Sequence, residues 1–270
     1  MAAFVPKILS CQPCWSASMS NTPLYPDPPH LTIAVFPASS DESAFPAVCD
    51  SLVACGAQPD GLLETLSPDV DFEARSDVAE TVELLTVKPD SFQRIIRGGE
   101  PTKRPVRAGF TRRGEVVVVE LLRRNRGERF PVGVSCFAGA LGLPIDLWRE
   151  ADRSAAFEIT QWSKRLLQVM TGRLPCAYGS IEVEAPFPTP SMLRSGAMLG
   201  SEVFVARDVL ARRPELRAAL AEDYDDAGEE WEAGTFFSGW APFDSARRML
   251  PYTPDRYQRS SRMLGEALSS

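Results

Sequence analysis

The stretch VRAGFTRRGEVVVVELL, residues 106–122, decides the fold class. Two strand-favouring runs, 106–112 and 115–122, flank Arg113-Gly114. Glycine supplies the positive φ that a tight hairpin turn requires. The second run holds Val116, Val117, Val118 and Val119 in succession, apolar on both faces, so it reads as an interior strand. A hairpin with an interior arm implies an antiparallel sheet that extends further.

Working outward, Leu31 to Phe36 is a short apolar run ending at Pro37 and reads as a strand. Phe45, Val48, Cys49, Leu52 and Val53 recur at helical spacing, with Ser39 and Glu42 at capping-box distance before them and Gly56 as a stop. Residues 57–80 are acidic and turn-rich and suggest no long element. A strand is expected within 80–87, then one or two helical turns around Phe92, Ile95 and Ile96, stopped by Gly98-Gly99.

Downstream, 132–137 reads as a strand. Ile159, Trp162, Leu166, Val169 and Met170 make the clearest amphipathic stripe, predicting a helix over 155–171 that ends at Gly172. Strands are expected at 176–184 and 203–205, and helices at 207–212 and 214–222, with Pro214 at a first helical position. A last helix is expected to begin at Thr253-Pro254-Asp255. The sum is an α+β fold: a mostly antiparallel sheet with helices packed on one side, in a single composite domain over 27–250. The stretch 138–154 is the candidate for an internal break, and 251–270 is a C-terminal helix or tail. Residues 1–26 carry one base, no acid and no regular apolar spacing. They are expected to be a tail dispensable for folding, or an extension ahead of a start at Met19.

Composition narrows the chemistry. The chain has 270 residues, a net charge of -7, one histidine and six cysteines. Its apolar runs are too short for a membrane span. The acidic balance argues against a nucleic-acid coat. The lone His30 excludes multi-histidine metal sites and leaves little for a Ser-His or Cys-His pair. Cys11-x-x-Cys14 has metal-knuckle spacing without a second pair to complete four ligands. The remaining cysteines sit among apolar neighbours, as free buried thiols do. A reducing, cytoplasmic compartment is expected, with no metal and no cofactor.

Three constellations remain. Glu222, Asp223, Asp225, Asp226, Glu229, Glu230 and Glu232 are seven acids clustered within the base-free stretch between Arg217 and Arg247. With Trp231 among them, the leading expectation is a non-enzymatic protein that binds a basic protein partner, as an immunity or antitoxin-type inhibitor does. Asp223, Asp225, Asp226, Glu229, Glu230 and Trp231 would form the contact. The second is catalytic: Glu182 and Glu184, two apart on a strand, share a face, and with Asp208 could do acid–base work. The third is the basic stretch 103–129, a hairpin that could hold phosphate or nucleic acid.

Overall fold

A computed structural model describes residues 24–39, 43–70, 82–122, 124–125, 127–141, 150–239 and 255–269. One ten-stranded sheet organises them, in the order β3-β2-β4-β5-β6-β1-β7-β8-β10-β9, with every neighbouring pair antiparallel. The strands are β1 (His30–Pro37), β2 (Gln58–Leu66), β3 (Glu83–Thr86), β4 (Arg104–Arg112), β5 (Glu115–Leu121), β6 (Val132–Phe137), β7 (Cys176–Val183), β8 (Glu202–Ala206), β9 (Glu229–Glu230) and β10 (Gly234–Ser238). The helices are α1 (Ala44–Ala54), α2 (Pro89–Ile96), α3 (Glu150–Arg173), α4 (Pro190–Arg194), α5 (Arg207–Arg212), α6 (Pro214–Tyr224) and α7 (Gln258–Ala267). The expected α+β class and antiparallel sheet are therefore present. The sheet runs unbroken through strands on both sides of 138–154.

The hairpin forms as its turn chemistry requires. Arg113 and Gly114 both have positive φ, 53° and 86°, the combination a two-residue primed turn needs. β5 sits inside the sheet between β4 and β6. The strand β2 is a correction, because 57–80 read as turn-rich. Its opening Pro59-Asp60-Gly61 looks like a turn, and Gly61 does take φ +84°. The pairing of β2 with β4 shifts register between Pro59 and Leu63, so this is a bulge inside a strand. Val87 N–H donates to the Gly61 carbonyl at 2.8 Å, which ties the bulge to the end of β3.

The α1 N-cap is Ser43 rather than Ser39, and it makes no side-chain cap hydrogen bond. Glu42 lies outside the described residues. Phe45, Val48, Cys49 and Leu52 are buried as expected, whereas Val53 is exposed. The helix α3 continues through Gly172 to Arg173 and is longer than its apolar stripe.

Side-chain alternation divides the sheet into two faces. On one face lie Leu31, Ile33 and Val35, and α3 packs there: a Cβ built at Gly179, opposite Val35, would stand 2.9 Å from Leu167 Cδ1. α1 packs on α3, and Trp162 Nε1 donates to the Cys55 carbonyl at 3.2 Å. On α2, Phe92 meets Phe110 edge-on at 5.7 Å. The opposite face carries Ala34, Ser180, Val203 and Phe237 in one cross-strand row. There Tyr224 of α6 lies 6.1 Å from Phe237, and α7 packs on α4 and α6. At the β8–β10 end both faces are buried, since Trp231 stacks on Phe204 and Phe236 from the α3 side.

The other face of β2, β4, β5 and β6 holds a polar row in which Glu64, Glu120 and Ser135 are buried. Arg107 bridges Glu64 at 2.7 Å and Glu120 at 3.4 Å, and Ser135 donates to Glu120 at 2.6 Å. Burial pulls the Arg107 guanidinium down, but the two carboxylates outweigh it and hold it above its ordinary value. Residues 24–26 lie across this row. Leu24 N–H donates to Glu64, and Arg107 sits 5.5 Å from the centre of the Tyr25 ring. Burial, then Glu120, raises the Tyr25 phenol.

Residues 24 and 25, ahead of the boundary expected at residue 27, therefore contact the sheet. A chain beginning at Asp27 would lose the Leu24 bond to a buried carboxylate, about 1–3 kcal/mol. Uncovering Leu24 and Tyr25 adds about 1–2 kcal/mol. A fall in melting temperature of roughly 6–12 °C is expected by calorimetry relative to a chain beginning at Pro23. An unchanged melting temperature would mean that the strap contributes nothing to stability.

Among the described residues no helix is long and apolar enough to cross a membrane. Cys49, Cys55, Cys136 and Cys176 are free; Cys11 and Cys14 lie outside the described residues. Burial pushes the thiols of Cys136 and Cys176 up to about 12, so both stay protonated and unreactive at neutral pH.

Candidate functional site

The strand β7 does not present Glu182 and Glu184 side by side. β7 ends at Val183, and Glu184 takes φ +53°, which turns it out of the strand. Its carboxylate accepts from the His30 main-chain N–H and lies 3.1 Å from His30 Nδ1. Glu182 instead points inward and is buried. A Cβ built at Gly200 would lie 1.4 Å from Glu182 Oε1, so the missing side chain at Gly200 makes room for the carboxyl. Burial raises this carboxyl to about 8, so it is mostly neutral at pH 7. Asp208, on α5, is exposed and faces Arg212 at 3.5 Å. The three carboxylates thus answer to different partners.

Around Glu182 sit groups that sequence reasoning did not select. Glu202 is fully buried at the start of β8. Tyr224 donates its hydroxyl to the Gly200 carbonyl at 2.5 Å, and its ring lies 4.6 Å from that of Tyr257. Burial first, then Tyr257, then the neighbouring acids raise the Tyr224 phenol well above its ordinary value. The neutral Glu182 carboxyl and the phenols, packed this tightly, brace α6 and α7 against the sheet.

The acidic run lies at the far edge of the sheet, on the end of α6, β9 and the turn into β10. Folding supplies bases that the local sequence lacks. Glu222 pairs with Arg259 at 3.1 Å, Glu229 with Lys164 at 2.5 Å, and Glu230 with Arg217. Burial raises the Glu229 carboxyl, but hydrogen bonds from Lys164 and Trp231 outweigh it and hold it low. A hydrogen bond from Arg217 does the same for Glu230.

Two of the aspartates order the backbone. Asp226 accepts from Gly228 N–H at 3.0 Å and Ser238 N–H at 3.2 Å, and Asp223 accepts from Ser260 N–H at 3.2 Å. Asp225 takes the left-handed conformation after α6, with φ 49°. Trp231 is not an exposed anchor. It is buried, with ring centres 4.7 Å from Phe236 and 5.6 Å from Phe204, both stacked. Asp225 and Glu232 are exposed, and so are Glu222, Glu229 and Glu230, whose side chains are 73%, 53% and 55% exposed.

At the opposite part of the molecule, the basic stretch comprises the β4–β5 hairpin and a loop beyond it. Its loop folds over the end of the sheet to wall a cleft of about 640 Å³ with α1, α2 and the start of β4. Arg104 and Arg124 stand 5.3 Å and 4.1 Å from the centre of the Phe130 ring.

No family model matches the chain, and no curated protein matches it. Among solved structures it is similar to the Pseudomonas aeruginosa T6SS protein PA0821, with 11% sequence identity and a TM-score of 0.40 over 89% of this chain and 72% of that one.

Proposed function

We infer that the chain is a non-catalytic cytoplasmic protein that binds a basic protein partner, in the manner of an immunity or antitoxin-type inhibitor, through the α6–β9 edge. One observation carries this reading: Glu222, Glu229 and Glu230 remain more than half exposed although each is held by a base from another element. Carboxylates fixed in this way lose little further freedom on binding, which favours association. The Phe204–Trp231–Phe236 stack stiffens the backbone beneath them. Their intramolecular bases weaken the field that the sequence suggests, so the contact depends on a few placed carboxylates more than on bulk charge.

The test takes the partner from a pull-down with the native host's lysate and measures association rates across a salt series. Glu222→Gln, Glu229→Gln and Glu230→Gln are changed together. Asp223 and Asp226 are left alone because they hold the backbone. Association by the triple variant should be several-fold slower at low salt. The gap should close towards 1 M, where the screening length falls to about 3 Å. Equal rates at low salt would remove this edge from the function. The fold should be unaffected, since exposed pairs contribute only about 0–1 kcal/mol each.

A further inference from the structure

The strap formed by residues 24–26 crosses the polar row of the sheet and runs on to His30, the only histidine of the chain. On the row, Leu24 N–H donates to Glu64, and the Tyr25 hydroxyl hydrogen-bonds with Glu120 and Ser135. His30 opens β1, and its imidazole meets an oxygen at each nitrogen. Nε2 lies 3.0 Å from the Pro26 carbonyl, and Nδ1 lies 3.1 Å from the Glu184 carboxylate. The Tyr25 ring stands against the imidazole nearly perpendicular to it, with centres 4.6 Å apart.

The backbone fixes Glu184 for this contact. Its φ of +53° turns it out of β7, its carboxylate accepts the His30 main-chain N–H, and its own N–H donates to the His30 carbonyl at 3.0 Å. Among the described residues, the titratable groups against the imidazole are thus Tyr25 from the strap and Glu184 from the end of β7. The residue opposite on β6 is Phe137. One step along the same face, Glu182 stands opposite Thr32 and is mostly neutral at pH 7.

A carbonyl oxygen and an ionised carboxylate only accept hydrogen bonds, whereas a neutral imidazole has one N–H and one lone pair. Either neutral tautomer therefore turns a lone pair towards one of the two oxygens. Only the imidazolium donates to both. We propose that His30 is a proton-operated clasp: charged, it ties the strap down onto the sheet, and neutral, it lets the strap lift and uncover the Glu64–Arg107–Glu120 row. Docking takes up a proton, so it strengthens as pH falls and weakens as pH rises. Imidazole is the side chain that ordinarily changes charge between about pH 5 and 8.

The test uses the full chain and nuclear magnetic resonance between pH 5.5 and 7.5. A lone histidine gives a single imidazole signal, which reports its charge directly. Protection of the Leu24 amide from hydrogen exchange, corrected for the intrinsic effect of pH, reports docking. Protection should fall at least fivefold across the range, with the midpoint of the imidazole titration. Glu184→Gln offers an amide N–H to a neutral Nδ1, so its protection should stay within twofold throughout. His30→Gln cannot titrate and keeps a donor for the Pro26 carbonyl, so its protection should also be independent of pH. The amides of Leu31 to Val35, in a strand paired on both sides, serve as the control for the fold and should stay protected in all three proteins. Constant protection of Leu24 in the wild type, a midpoint apart from that of the imidazole, or a fall that persists in either variant would overturn the clasp.

Discussion

Glu182→Gln is expected to stabilise the folded chain at pH 8 and to leave it unchanged at pH 5. Burial raises the folded-state carboxyl from its ordinary 4.5 to about 8. The folded chain therefore holds a proton that the unfolded chain releases above pH 4.5. Stability contributed by the protonated carboxyl is complete below that value. It falls as pH rises towards 8, by about 1.4 kcal/mol per unit, and levels off beyond. Glutamine fills the same space beside Gly200 and cannot ionise, so the variant lacks the slope. Urea unfolding at pH 5, 6.5 and 8 reads the difference directly, and several kcal/mol should separate the proteins at pH 8. Parallel stability profiles for the two proteins would show that Glu182 is ionised in the folded state and that its burial is compensated.

Trp162→Ala should be the most damaging single change in the core. The indole is buried between α3 and α1, donates to the Cys55 carbonyl, and lies under the Arg112 guanidinium at 4.3 Å. Truncating such a side chain costs about 3–5 kcal/mol, set against the roughly 5–15 kcal/mol that hold a domain together. The variant is expected to be insoluble or to melt at least about 8 °C lower. Trp162→Phe keeps most of the apolar volume but leaves the Cys55 carbonyl without its donor, so it should recover more than half the loss. An alanine variant that melts within 3 °C of the parent would show that the α1–α3 seam is peripheral.

The hairpin, the apolar stripe of α3 and the strand around Ile33 were legible because local chemistry and burial agree there. Arg113-Gly114 specifies its turn whatever surrounds it, and Trp162 sits where its periodicity puts it. The strand β2 was hidden because its bulge places a proline, an aspartate and a glycine where a turn would place them. Only the pairing with β4 across some fifty residues distinguishes the two. The burial of Glu182 was hidden for a related reason. Alternation along a strand says which residues share a face, but whether α6 and α7 cover that face is a matter of topology. The acidic run showed its charge and hid its counterions, because Lys164, Arg217 and Arg259 arrive from α3, α6 and α7. The cleft was legible only as a surplus of bases. Its walls come from separate segments.

The placement of β1 sets a constraint on how the chain is made. Leu31 hydrogen-bonds in the sheet beside Cys136 on one side and Val183 on the other. At a synthesis rate of about 5–20 residues per second, the second neighbour follows the first strand by roughly 8–30 s. Through that interval a ribbon with Leu31, Ile33 and Val35 on one side and Ala34 and Phe36 on the other has at most one of its final partners. Such a ribbon is open to pairing with the wrong chain. Its long-range closure also makes folding slow compared with a chain built from adjacent hairpins. The yield of soluble protein should therefore depend on the pace of translation and on chaperone supply more than on the stability of the finished sheet.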